Sequence, residues 1–111
     1  MYAVIFRAEI AQLDAQYTEM AARMRELAIK QYGCTHFCSY TEGCAEVAIS
    51  YWDTQDQITR WKQNAEHLAA QELGRAKWYK SYSVEVVEII RSYRSAAQEG
   101  GDMARDGMPP L

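Results

Sequence analysis

Residues 34–52 read CTHFCSYTEGCAEVAISYW, and this stretch decides the fold. Two runs of alternating side chains lie on either side of Glu42-Gly43, and glycine tolerates the positive φ that a two-residue hairpin turn requires. We therefore predict a β-hairpin from Cys34 to Trp52. Its expected register pairs Tyr40 with Ala45, Cys38 with Val47 and His36 with Ile49.

Alternation along the hairpin divides its side chains between two faces. The face predicted to be buried carries Cys34, His36, Cys38, Tyr40, Val47, Ile49 and Tyr51. The opposite face is mixed, because it combines large apolar side chains with polar ones. Its members are Thr35, Phe37, Ser39, Glu46, Ala48, Ser50 and Trp52.

The sequence before the hairpin predicts one strand and one helix. The strand runs from Tyr2 to about Glu9 and opens with Y-A-V-I-F, so both of its faces are apolar, whereas a strand with one wet face would alternate. The helix runs from Asp14, a suitable N-cap, to about Lys30. An apolar stripe at helical spacing supports it: Tyr17, Met20, Ala21, Met24, Leu27 and Ala28.

The sequence after the hairpin predicts two short helices and a last strand. Residues 54–57 read T-Q-D-Q, a capping box that begins the first of these helices. Asn64 is a second N-cap, and its helix is expected to continue to Gly74. The last strand is predicted from about Ser81 to Arg91, with apolar residues on both faces.

The resulting order is β-α-β-β-α-α-β, which is typical of an α+β, ferredoxin-like split βαβ fold. Such a fold has a four-stranded antiparallel sheet with its helices on one face. Because the strands are apolar on both sides, we expect a homodimer that buries the open face of the sheet. Residues 1–93 are predicted to form the domain, and residues 94–111, which lack apolar periodicity, a disordered C-terminal tail.

Composition excludes several classes of protein. The 111 residues suit one domain, and a net charge of −3 argues against a nucleic-acid partner. No apolar run approaches the roughly 18 residues of a membrane span, and MYAVIFRAEI is too short for a secretory h-region, so we expect neither a leader nor a membrane partner. Three cysteines do not make a disulfide framework, which favours a cytoplasmic protein.

Cys34, His36 and Cys38 alternate along one predicted strand and resemble a metal cluster. The two cysteines would lie roughly 13 Å apart at about 3.3 Å per residue, too far to share one zinc ion. We therefore expect no metal site, and buried structural cysteines instead.

Aromatic residues are dense between residues 51 and 82, which is typical of the wall of a small-ligand pocket. The predicted pocket residues are Trp52, Trp61, His67, Trp78 and Tyr82, and the predicted catalytic residues are His67, Trp61 and Tyr79. Core packing alone also explains many of these aromatic residues, and the alternative for His67 is a partly buried or surface histidine with one hydrogen bond. Walker, G-x-G-x-x-G and G-x-S-x-G motifs are all missing, so nucleotide cofactors have no support.

The segment SYWDTQDQITRWKQNAEHLAAQ (residues 50–71), followed by WYKSYSVEV (residues 78–86), resembles the antibiotic biosynthesis monooxygenase family. The resemblance covers about residues 2–93. It implies a dimeric α+β barrel, with a cavity between sheet and helices in each protomer. It also implies cofactor-independent oxygenation of a small aromatic or quinol-type substrate. For that reaction, chemistry and position in the chain favour His67 as the base and Tyr79, Tyr82 or the Trp61 indole as donors.

One branch of that family cleaves haem with an Asn on the first strand, a Trp in the middle helical region and a His about three turns later. Trp61 matches the Trp, but the His position falls at Gln71 and residues 4–10 contain no Asn. We therefore expect poor haem binding. Two further alternatives stay open: a non-catalytic binder of a small hydrophobic ligand, and a structural or regulatory dimer.

Overall fold

The computed structural model describes residues 1–95. The predicted domain of residues 1–93 falls within this range, whereas the predicted tail lies outside it from residue 96 onward. The elements are β1 (Tyr2–Ile10), α1 (Ala15–Lys30), β2 (His36–Glu42), β3 (Ala45–Trp52), α2 (Gln55–Gln63), α3 (Ala65–Leu73), a π-helical turn (Gly74–Trp78) and β4 (Tyr79–Glu88).

The four strands form one antiparallel sheet in the order β2-β3-β1-β4. Together with its order of elements, this confirms the predicted α+β, ferredoxin-like fold. Each predicted cap is present: Asp14 accepts from the backbone N–H of Tyr17, Thr54 and Gln57 form a reciprocal capping box, and Asn64 caps α3. These caps satisfy amides that would otherwise lack partners at the helix starts.

The predicted register of the hairpin is wrong by two residues. Tyr40 pairs with Val47 and Cys38 with Ile49, because β2 continues to Glu42 and the turn is Gly43-Cys44. A shift of two residues leaves every side chain on its predicted face, since the side-chain period of a strand is two.

The assignment of the buried face also needs correction. In the single chain the helices cover the face that carries Ser50 and Trp52, which are 3% and 0% exposed. The face predicted to be buried lies on the open side of the sheet, where Tyr40 is 67% exposed. The hairpin pattern does not determine which face the helices cover, because both faces carry large apolar or aromatic side chains: Val47, Ile49 and Tyr51 on one, Phe37 and Trp52 on the other.

The last strand begins and ends earlier than predicted. It starts at Tyr79 rather than Ser81, because Tyr79 still pairs with Ile10 across a β-bulge. It ends at Glu88 rather than Arg91, because Glu88 is opposite Tyr2, the first residue of β1, and beyond this pair a single hydrogen bond, from the Ile89 N–H to the Met1 carbonyl at 2.9 Å, joins the two segments.

The core lies between the helices and the covered face of the sheet. Its buried members are Val4, Met24, Leu27, Ala28, Cys34, Trp52, Ile58 and Trp61. Trp52 donates its indole N–H to the hydroxyl of Ser50 at 2.8 Å, so its one polar group is satisfied inside the core.

The cysteines, metal-ligating side chains and helices of residues 1–95 show neither a disulfide nor a metal cluster nor a membrane-spanning helix. The three cysteines are free thiols, and no three side chains of His, Cys, Asp or Glu in this part of the chain are grouped as they would be around a metal ion. None of the described helices combines the length and the apolar character that a membrane span requires.

Candidate functional site

A cavity of about 450 Å³ lies between the covered face of the sheet and the helices. All four strands, all three helices and the π-helical turn contribute to its wall, which is mostly apolar. Its polar and charged lining residues include Tyr17, Arg25, Glu46, Lys62, His67, Gln71 and Tyr79. A concave, largely apolar site with a few polar groups is the usual form of a small-ligand pocket.

One end of the cavity is built around a buried carboxylate. Glu46 lies on β3, on the same face as Trp52, and is only 8% exposed. The hydroxyl of Tyr17 on α1 donates to Glu46 Oε1 at 2.6 Å. Burial, together with this hydrogen bond to a carboxylate, raises the pKa of Tyr17 well above its ordinary value, so Tyr17 stays a neutral donor at pH 7.

Tyr79 reaches the same end of the cavity through two local irregularities. The π-helical turn precedes it, and a β-bulge follows it. Residues three apart in a regular strand point to opposite faces, but the extra residue of the bulge lets both Tyr79 and Tyr82 line the cavity. Gly74 opens the turn beside the Tyr79 ring, and a Cβ there would come within 2.9 Å of that ring. Burial raises the pKa of Tyr79 to about 12.

Aromatic rings hold these hydroxyl groups in place. The Tyr17 ring contacts Trp78 edge-on at 5.2 Å between centroids, and Phe6 packs against Tyr79 at 5.3 Å. The Trp78 indole N–H donates to Asp14 Oδ1 at 3.2 Å, which ties the π-helical turn to the start of α1. These contacts make the Glu46 end rigid and aromatic.

The other end of the cavity is formed by Trp61 and His67. The Trp61 indole N–H donates to the backbone carbonyl of Met24 at 3.2 Å, and the His67 ring meets Trp61 edge-on at 4.4 Å. His67 Nδ1 is buried and has no hydrogen-bond partner in the part of the chain that the structure describes. Burial, with a smaller contribution from the charge of Lys62, lowers the pKa of His67 to about 4, so its ring is neutral at pH 7.

The structure places most of the sequence-predicted site residues on the cavity wall. Trp61, His67, Trp78, Tyr79 and Tyr82 all line it. They do not form one cluster, because Trp61 and His67 are in contact with each other, whereas Tyr79 and Tyr82 lie beside Phe6. Trp52 is the exception: it packs behind Trp61, 5.1 Å away between centroids, and belongs to the core rather than the wall.

Sequence reasoning missed the hydrogen-bonded pair of Tyr17 and Glu46. The sequence does contain a signal for it. Glu46 lies on the same face of β3 as Ala48, Ser50 and Trp52, and a carboxylate on a face that carries a core tryptophan is unusual. Tyr17 was recognised only as part of the apolar stripe of α1. Its hydroxyl needs a partner once it is buried, and Glu46 is that partner.

Comparison with known proteins places the chain in a family. No known family profile matches the sequence. The sequence is, however, 42% identical over 91 residues to the uncharacterized protein YqjZ of Bacillus subtilis strain 168, and the match covers 81% of this chain and 80% of YqjZ. The chain belongs to the YqjZ family. Since YqjZ is itself uncharacterized, this relationship assigns no reaction.

Solved structures identify the fold of this family as that of the antibiotic biosynthesis monooxygenases. SnoaB, a cofactor-independent oxygenase from Streptomyces nogalater, superimposes with a TM-score of 0.71 at 16% identity, over 85% of this chain and 97% of SnoaB. A Nitrosomonas europaea protein provisionally classed as an antibiotic biosynthesis monooxygenase gives 0.67 at 16% identity, over 82% of this chain and the whole of that one. The α+β fold expected from the resemblance is therefore confirmed for the single chain.

Proposed function

We propose that this chain is a cofactor-independent monooxygenase that acts on a small aromatic or quinol-type substrate. The observation that carries the proposal is the cavity itself, which combines an aromatic, largely apolar wall with a buried histidine nitrogen that has no partner among residues 1–95. The likeness of the fold to SnoaB, a cofactor-independent oxygenase, supports the same reaction class.

The chemistry requires a substrate that loses a proton and becomes electron-rich enough to reduce oxygen directly. His67 is neutral at pH 7 and so has a lone pair that can accept the proton. Its low pKa makes it a weak base in the empty cavity. A substrate anion formed beside it would raise that pKa, because an opposite charge nearby favours the protonated ring.

The substrate anion also needs stabilisation while it forms. The cationic side chains of Arg25 and Lys62 line the cavity. The Trp61 indole contributes an aromatic surface to the wall, and the Tyr79 hydroxyl contributes a polar group. Such groups act strongly in a site with little water, where the effective dielectric constant is low. We assign Trp61 and Tyr79 to substrate positioning and His67 to proton transfer.

The overall reaction balances without an external reductant. For an anthrone-type substrate, a ring methylene group plus O₂ gives a ring carbonyl group plus water. The carbanion transfers one electron to O₂, the carbon and the reduced oxygen then form a C–O bond, and the hydroperoxide loses water as the second C–H bond breaks. Both electron pairs come from the two C–H bonds of the substrate.

Oxygen uptake tests the proposal. We expect the purified chain to consume O₂ with at least one member of a panel of hydroquinones and anthrones, and His67→Ala to lower kcat about a hundredfold, as for loss of a general base. His36→Asn is the control, because His36 lies on the open side of the sheet, away from the cavity. Saturable binding of the panel without oxygen uptake would instead show a non-catalytic binding protein.

We also propose that the chain forms a homodimer through the open face of the sheet. This face carries Ile5, Val47, Ile49 and Tyr51, which no helix covers. A contiguous apolar surface of this kind is typical of a site where a partner protein binds. Sedimentation at micromolar concentration should give twice the mass of the chain. A monomer at that concentration would contradict the proposal.

A further inference from the structure

The Glu46 end of the cavity contains an acceptor that the folded chain uses only in part. Tyr17 donates to Oε1, and no other side chain or backbone group among residues 1–95 donates to this carboxylate. Glu46 is nonetheless 92% buried and lines the cavity. Among residues 1–95 the only buried side-chain nitrogen or oxygen without a partner is His67 Nδ1, so Oε2 is accessible and can accept a hydrogen bond from a group in the cavity.

A ligand in the cavity can supply a donor to Oε2. Of the two tyrosines at this end, Tyr17 already donates to Oε1, and the Tyr79 hydroxyl is hydrogen-bonded to Tyr17. Neither cationic lining residue forms an ion pair with Glu46: Arg25 stacks on Phe37 and donates to Ser39, and the bonds of Glu46 do not include Lys62. A ligand that occupies the cavity would therefore meet Oε2 as its first strong acceptor.

The two ends of the cavity are separated by the length of a small fused-ring molecule. Phe37 contacts Trp61 at 6.1 Å and is paired with Ser50, so the Trp61–His67 end lies level with Ser50 on β3. Ser50 is four residues from Glu46, which is roughly 13 Å at about 3.3 Å per residue. A planar aromatic ligand that reaches both ends would present one edge to Glu46 and the other to His67.

From this geometry we infer that Glu46 is a specificity-determining residue that binds a hydroxyl group of the ligand, and that the cavity selects phenols over the corresponding ethers. This inference rests on the proposed function, because it names the substrate class of the same cavity: a phenol or hydroquinone with its hydroxyl group donating to Glu46 Oε2. Tyr17 donates only to the other oxygen, Oε1. The edge of the ligand at which oxygen reacts then lies beside His67.

Equilibrium dialysis under nitrogen tests the inference without turnover. The probes are 2-naphthol, which has a donor, and 2-methoxynaphthalene, which has the same rings but no donor. In the wild-type chain we expect 2-naphthol to bind about tenfold more tightly, the size of effect given by a hydrogen bond to a charged acceptor. In Glu46→Gln the preference should fall to about threefold or less, because the neutral amide is a weaker acceptor, while Glu42→Gln, an exposed glutamate, keeps the wild-type ratio.

A second variant separates Glu46 from its neighbour. Tyr17→Phe removes the hydroxyl that occupies Oε1, so the preference for 2-naphthol should persist or increase if Glu46 is the anchor. Its loss in this variant, or equal binding of the two probes by the wild-type chain, would overturn the inference. If the preference for 2-naphthol is present but no panel member causes oxygen uptake, the proposed oxygenase function is wrong and the hydroxyl subsite at Glu46 stands. If oxygen uptake is observed but the preference is absent, the oxygenase function stands and the hydroxyl subsite is wrong.

Discussion

The burial of His67 predicts a specific loss of stability in acid. The pKa of His67 is about 4 in the folded chain, against 6.5 for an exposed histidine, so between these two values the unfolded chain binds more protons than the folded one. This contribution to stability is fully present above pH 6.5 and is lost as the pH falls towards 4. The full gap of about 2.5 pKa units corresponds to about 3 kcal/mol. Because the ring keeps some contact with solvent, we expect about 2 kcal/mol between pH 7 and pH 4.5.

Urea unfolding at pH 7 and pH 4.5 measures this quantity. Carboxylates also titrate in this range, so the informative value is the difference between variants that share them. We expect His67→Leu to lose about 2 kcal/mol less than the wild-type chain over the same pH interval, since its side chain takes up no proton. His36→Leu, which removes the exposed histidine, should lose as much as the wild type. Equal losses in the wild type and His67→Leu would refute a buried, neutral His67.

Three further perturbations test other parts of the structure. Tyr17→Phe should cost about 1–3 kcal/mol in thermal unfolding, because it leaves the buried carboxylate of β3 without its donor, whereas Tyr93→Phe at an exposed site should cost almost nothing. Gly33→Ala and Gly43→Ala should each cost about 1–2 kcal/mol, because both positions have a positive φ that disfavours alanine. Gly33→Ala should cost more, because only there would the new Cβ lie 2.5 Å from the capping-box glutamine, Gln57. Haem titration should give weak, unsaturable binding in the Soret region; a saturable 1:1 complex that is lost in His67→Ala would replace the oxygenase proposal with haem chemistry.

The predictable part of the fold is the part set by local chemistry. Asp14, Thr54 and Asn64 could be recognised as helix starts, because each places a side-chain oxygen where free backbone amides need one. The order of elements then limits the topology to very few alternatives. The hairpin register was missed because Glu42-Gly43 and Gly43-Cys44 are both acceptable two-residue turns, and pairing across the rest of the sheet selects between them.

The candidate site was predictable in its aromatic wall and not in its polar end. The density of tryptophan and tyrosine after the hairpin indicated a pocket, and Trp61 and His67 lie on it. The role of Glu46 depends on which face of the sheet the helices cover, and that is decided by the packing of the whole chain. The packing of the helices on this face also explains why Trp52 does not line the cavity. Its indole, at the end of β3, is enclosed by the side chains of the core.

Labelled oxygen tests the proposed reaction most directly. The purified chain would be incubated under ¹⁸O₂ with whichever anthrone or hydroquinone gives the fastest oxygen uptake, and the product analysed by mass spectrometry. For an anthrone, cofactor-independent monooxygenation predicts one ¹⁸O atom in the new carbonyl group and the other in water, with His67→Ala slowing incorporation about a hundredfold. A product without label, or one that forms equally fast without the protein, would contradict the assignment of this cavity as an oxygenase site.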